Sequence, residues 1–226
     1  MSTTTTGFDK QAAITRSLLG WGVVAGPFYI VVGLILALTR PGFDVSRHAL
    51  SLLTLGEYGW MQRANLILSG LMVIAAAFGI LRAIRNGRGL ATGVLVAIYG
   101  AGMVLGGVFV PDPVAGFPPG SSPEASVSGI LHLVFAGLGI LSLGSATFAF
   151  AGWARSQSFT TASRLSIAAG LVVIVGFIAG GALSQLPLGI ALIWCAVIAG
   201  STWLAFASAL IYRWTPSPVP TSTSSH

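Results

Sequence analysis

LSIAAGLVVIVGFIAGGALSQ (Leu165–Gln185) and LGIALIWCAVIAGSTWLAFASALIY (Leu188–Tyr212) stand almost end to end, parted only by Leu186 and Pro187. Neither contains Asp, Glu, Lys or Arg. A helix needs about 20 apolar residues to cross a hydrocarbon layer about 30 Å thick, so each stretch is one membrane span and the short connection makes them antiparallel neighbours. Strict in-and-out alternation, the mark of a barrel strand, is missing, and lipid leaves backbone polar groups no partner outside the helix.

Working outward, four more runs meet the same test: Ser17–Leu38, Met61–Ile84, Leu90–Val110 and Ser128–Trp153. The chain of 226 residues is 54% hydrophobic and only 7% charged, with mean hydropathy +0.89, more apolar surface than a water-soluble core of this size can bury. The expected fold is therefore all-α: a polytopic integral membrane protein, a bundle of six transmembrane helices over residues 17–212. Its membrane partners are lipids. Residues 1–16 and 213–226 read as disordered cytoplasmic tails rich in Ser, Thr and Pro. Lys10 and Arg16 precede the first span as in a secretory signal, but its apolar run is long and no small-residue cleavage site follows, so the span is expected to be retained.

Basic residues set the orientation. With both termini cytoplasmic, Lys10, Arg16, Arg82, Arg85, Arg88, Arg155, Arg164 and Arg213 lie inside and only Arg40, Arg47 and Arg63 outside, which satisfies the positive-inside rule and suits a plasma membrane. The net charge of +6 is thus a topology signal. No arginine-rich run with interleaved aromatics points to nucleic acid, and none is expected as a partner. Cys195 is the single cysteine and forms no intrachain disulfide.

Small residues recur at helix-pair spacing in Gly22/Gly26, Gly89/Gly93, Gly102/Gly106 and Gly176/Gly180, which favours close helix contact. Pro27 is expected to kink the first span. Tyr58, Trp60 and Trp153 are expected at the membrane interfaces.

The two outer connections after the first and third spans are long, and function is expected there. In RPGFDVSRHALSLLTLGEYGW (Arg40–Trp60), Asp44, Arg47, His48 and Ser51 share one face if the segment is helical, with Ser46 beside them. In VFVPDPVAGFPPGSSPEASVSGILHLVF (Val108–Phe135), Asp112 sits between two prolines at the exit of the third span, and His132 lies inside the fourth. Ser126 is the natural start of that fourth span, with Ser122 and Pro123 offering an earlier one. An ionisable group at that depth needs a partner. Asp112 is the expected acceptor for His132, and the stripe is expected to fold over both at the outer mouth. Gln62, Arg63 and Asn65 add polarity to the start of the second span, with Glu57 or Asp112 as expected partners for Arg63.

Three signatures in order, RPGFDVSRHALSLLTLG, VFVPDP and SGILHLVFAG, resemble the DUF998 family of uncharacterised multi-span membrane proteins. The resemblance extends over roughly Ser17 to Tyr212. It implies a six-span helical fold and supplies no established activity. A Ser-x-Leu-Gly segment after the His is frequent in that family; here Ser51 is followed by Leu52, Leu53, Thr54, Leu55 and Gly56, a different spacing.

Three functions are compatible with these residues. In the first, Asp44, Ser46, Arg47, His48, Ser51 and Arg63 form an outward-facing site for a lipid or small-molecule ligand. Proton-coupled transport by such a site is disfavoured because the middles of all six spans lack ionisable residues. In the second, His48, Asp112 and His132 bind zinc in an intramembrane hydrolase, two imidazoles and a carboxylate leaving one position for water, with Arg47 holding a phosphate. In the third, the polar residues are a satisfied structural network in a protein that acts through partners.

Overall fold

The computed structural model describes residues 8–122 and 124–219. Six helices follow one another: α1 Lys10–Thr39, α2 Gly59–Ala83, α3 Gly87–Val108, α4 Val127–Ser156, α5 Thr160–Ala182 and α6 Pro187–Trp214. A short 3₁₀ turn, Leu50–Thr54, lies between α1 and α2. All six are long and apolar enough to cross a membrane. Even α3, the shortest at 22 residues, spans roughly 33 Å at the helical rise.

Local chemistry sets the ends. Asp9 accepts from the N–H groups of Gln11 and Ala12, so α1 starts at Lys10, ahead of the expected Ser17. Asn86 caps α3 through Gly89 N–H, Ser126 caps α4 through Gly129 N–H, and Pro187 opens α6 where its missing N–H costs nothing. Of the segments expected to be disordered tails, residues 1–7 and 220–226 lie outside the described residues, as does Pro123; residues 10–16 and 213–214 are helical. α1 runs through Pro27 as one helix, with the proline exposed on its outer face.

Each helix packs on its chain neighbours, and α6 closes back on α1, so the bundle is a ring. The closing seam depends on small residues. A Cβ on Gly26 would lie 2.8 Å from the Ser201 carbonyl oxygen, and one on Gly22 would meet the Ser208 hydroxyl, so α1 and α6 touch almost backbone to backbone. The ends of the chain meet too, Asp9 N–H donating to the Pro218 carbonyl at 2.9 Å.

On the face carrying the short α2–α3 and α4–α5 connections the interior is filled. Phe150 and Trp153 pack with Trp203, Phe159 and Trp214. Trp153 is 1% exposed, which corrects its expected interfacial place: an indole packed against three aromatic residues, Phe150, Phe159 and Trp214, gains more from burial than a headgroup contact would give. Tyr58 and Trp60, at the opposite face, are exposed. Around that opposite face the two long connections, with residues 40–58 of the first and 109–122 of the second, cover a hollow part of the bundle.

Candidate functional site

The first long loop does not continue as the helix that would align Asp44, Arg47, His48 and Ser51. Gly42 adopts φ +78°, and Asp44 then closes a turn of its own. Its Oδ1 accepts from Ser46 N–H at 2.8 Å and Ser46 Oγ at 2.7 Å, while its carbonyl accepts from the N–H groups of Arg47 and His48. The Ser46 hydroxyl, then the Ser46 N–H, hold the Asp44 carboxyl below the usual range. The 3₁₀ turn follows, burying Leu50, Leu52 and Leu53. The polar stripe is therefore divided: Asp44 and Ser46 stay on the exposed surface, His48 turns inward, and Arg47 and Ser51 reach the hollow of the bundle.

His48 is 3% exposed. Its Nδ1 accepts from Asp44 N–H at 2.9 Å, which requires the proton of the neutral ring to sit on Nε2, and Nε2 donates to the Ala115 carbonyl at 3.3 Å. Phe43, His48 and Phe117 pack as three rings with centroids 5.2 to 5.3 Å apart. Ala115 and Gly116, both at positive φ, form a tight turn closed by Phe117 N–H to the Val114 carbonyl. The turn presents Phe117 and the Ala115 carbonyl to the first loop. His48 is thus the clasp between the two loops.

Asp112 serves α4. Its carboxylate accepts from Ser126 Oγ at 2.6 Å and Ser126 N–H at 3.2 Å, and a Cβ on Gly129 would overlap it. A negative group resting on a helix start is favoured by the orphan N–H groups there. The expected pairing of Asp112 with His132 does not form, because each has a nearer helix end to satisfy. α3 ends at Val108 ahead of Pro111, which has no N–H, and Val110 N–H is taken by Ser128 Oγ at 2.9 Å. His132 Nδ1 meets the carbonyls left over, Phe109 at 2.8 Å and Gly106 at 3.2 Å. Carbonyls only accept, so Nδ1 carries a proton.

Arg63 also departs from expectation. It is exposed, and its Nε donates to the Thr54 carbonyl at 3.1 Å instead of pairing with Glu57 or Asp112. Gln62 and Asn65, one turn apart on the other side of α2, are fully buried and joined by a 3.0 Å hydrogen bond; Asn65 donates onward to the Tyr29 carbonyl.

Under the loops lies a cavity of about 480 Å³. Arg47, Ser51, Asp112 and His132 line it, whereas Asp44, Ser46, His48 and Arg63 do not. Its walls are mainly apolar, with Leu50, Leu66, Met103, Ile140, Ile190 and Ile193 among them. With both His48 nitrogens engaged away from the cavity, His48 does not join Asp112 and His132 as a metal set. No group of three His, Cys, Asp or Glu among the described residues is placed to hold a metal.

A family model described as a protein of unknown function, DUF998, matches residues 23–210, from within α1 to within α6 and across both long loops. The chain belongs to the DUF998 family. Comparison with curated proteins and with solved structures finds no match. The six apolar helices mark this DUF998 chain as an integral membrane protein surrounded by lipid.

Two cavity residues escaped the sequence reading altogether. Tyr29 of α1 and Tyr99 of α3 are each 8% exposed and line the cavity. The signal was there: tyrosine favours membrane interfaces, so a tyrosine in mid-span is out of place unless something in the interior uses its hydroxyl. Trp194 of α6 also lines the cavity, and its Nε1 is buried without a partner among the described residues.

Proposed function

We propose that this protein binds a lipid or small amphiphile in the cavity beneath its two long loops, and that these loops face outward from the plasma membrane with both termini cytoplasmic. The cavity carries the reading: about 480 Å³ of largely apolar space with a few convergent polar groups, within the range of small-ligand sites. The sorting of basic residues supports the orientation, eight at the short-loop face against Arg40, Arg47 and Arg63 at the other. Binding is favoured over pumping, because among the described residues Arg47 and Asp112 are the only fully charged side chains on the cavity wall and both come from the loops. The division of the polar stripe fits the same reading: Asp44 and His48 hold the loops in place, and Arg47 and Ser51 are presented to the ligand.

The test is lipid carry-over. Full-length protein purified in mild detergent, beside the variant Ala136→Trp that fills the cavity from the α4 wall, is analysed for bound lipid by native mass spectrometry. A retained lipid in the wild type that is lost in the variant is the expected result. Equal retention by two folded proteins would remove the cavity from consideration.

A further inference from the structure

The cavity has polar groups at two depths. Arg47, Ser51 and Asp112 stand at the loops. Tyr29 lies ten residues from the loop-side end of α1 and Tyr99 nine from that of α3, so both lie about 14 Å down the bundle, near the middle of a 30 Å hydrocarbon layer. His132, five residues into α4, is about 8 Å down. Tyr29 and Tyr99 also line a small void just beneath the main cavity, so the two phenols are neighbours at its floor.

Of these three groups, His132 serves the fold through Nδ1 alone. Both tyrosine side chains are more than nine-tenths buried, and both line the cavity. His132, 5% exposed, uses only Nδ1, leaving Nε2 of the neutral ring as an unpaired acceptor on the cavity wall. Trp194 Nε1, on the same cavity wall, is buried without a partner among the described residues, and buried polar groups of that kind call for an occupant that pairs with them.

We infer that the floor of the cavity receives an uncharged lipid head bearing hydroxyl or carbonyl oxygen, with hydrogen bonds to Tyr29, Tyr99 and His132 and an apolar body along the walls. This inference rests on the ligand-binding reading above and specifies its chemistry. A charged head is the wrong occupant for the floor, which offers no counter-charge: Arg47 and Asp112 are at the mouth, and the Asp112 carboxylate is already committed to the start of α4. A phospholipid lying head-out, with phosphate at Arg47, would send its tails to the floor and leave two phenols and an imidazole nitrogen facing hydrocarbon. Two phenolic donors and one imidazole acceptor instead match a head that offers both an acceptor oxygen and a hydroxyl. Diacylglycerols and prenylated quinols offer both, whereas a prenylated quinone offers the acceptor oxygens alone.

The experiment is a native mass spectrometry titration of full-length, delipidated protein with three probes: dioctanoylglycerol, a decyl-substituted benzoquinone and dioctanoyl phosphatidylglycerol. Wild type is compared with Tyr29→Phe/Tyr99→Phe, with each single Phe variant and with Ala136→Trp, each checked for folding by its thermal midpoint. At least one neutral probe is expected to bind saturably and to lose affinity about ten-fold or more in the double Phe variant, which keeps both rings and removes only the hydroxyls. The better neutral probe identifies the source of the head. Tighter binding of phosphatidylglycerol than of both neutral probes overturns the inference, as does an absence of saturable neutral binding. So does unchanged neutral affinity in the Phe variants; if Ala136→Trp still abolishes binding, the cavity reading survives and only the head chemistry is lost. Binding that also ignores Ala136→Trp sinks both.

Discussion

His48 Nε2 donates to the carbonyl of Ala115, 67 residues further on, and this contact joins the two loops that roof the cavity. The same ring accepts from Asp44 N–H and sits between Phe43 and Phe117. His48→Phe keeps an aromatic ring of similar size but removes both hydrogen bonds, leaving a backbone donor and an acceptor unpaired. The expected loss is about 1–3 kcal/mol, read as a lower denaturation midpoint in detergent, together with faster proteolysis within residues 40–58. Unchanged stability and unchanged proteolysis would mean that the rings alone hold the loops.

Gly129 exists to make room for Asp112. Gly129→Ala places a methyl where the carboxylate lies, so the variant is expected to be destabilised by about 1–3 kcal/mol as the carboxylate is displaced from the start of α4. In an Asp112→Ala background the same substitution should cost much less, because the obstacle is gone. A double-mutant cycle measures this, and additive effects would refute the contact.

Asp44 gives a pH dependence with a definite sign. Its carboxyl is held below the ordinary value of 3.8 in the folded protein, chiefly by the Ser46 hydroxyl. The contribution is fully present above the unfolded-state value and is lost as pH falls through the lowered folded value. The stability difference between wild type and Asp44→Asn should therefore be constant from neutral pH down to about 5 and shrink below about 4. A difference that grew on acidification would contradict the turn geometry.

The seam between α1 and α6 predicts a contrast on one helix. Gly26→Leu drives a side chain into the backbone of Ser201 and is expected to cost about 1–3 kcal/mol or to prevent assembly, whereas nothing lies within 4 Å of a Cβ on Gly20. Gly20→Leu should be nearly neutral. Thermal midpoints of the two variants decide it, and equal effects would argue against the closed ring.

On the short-loop face, Arg16 lies over the Tyr212 ring at 4.2 Å, a second link between α1 and α6. Arg16→Gln removes the cation and should lower stability by about 0.5–1 kcal/mol. Tyr212→Leu should cost a similar amount and make Arg16→Gln silent, which a double-mutant cycle in detergent tests.

By itself the sequence determined the six helices, their approximate ends and the two long loops on one face, because these depend on local quantities: length of apolar run, missing charge, capping residues such as Ser126, and helix stops near Pro111. It also brought attention to the residues that matter in those loops, though not to what each one does. Only the tertiary structure decided that His48 turns its two nitrogens to Asp44 and Ala115, that Asp112 and His132 each serve a different helix end, and that Trp153 is buried among aromatic rings. Those outcomes depend on which donor or acceptor lies nearest in space, and hydrogen bonds reach only about 3 Å. Tyr29 and Tyr99 make the same point at the cavity floor. Seventy residues apart on helices that are not chain neighbours, they meet around one void only because the ring of helices closes, α6 against α1, and leaves its loop-side half hollow.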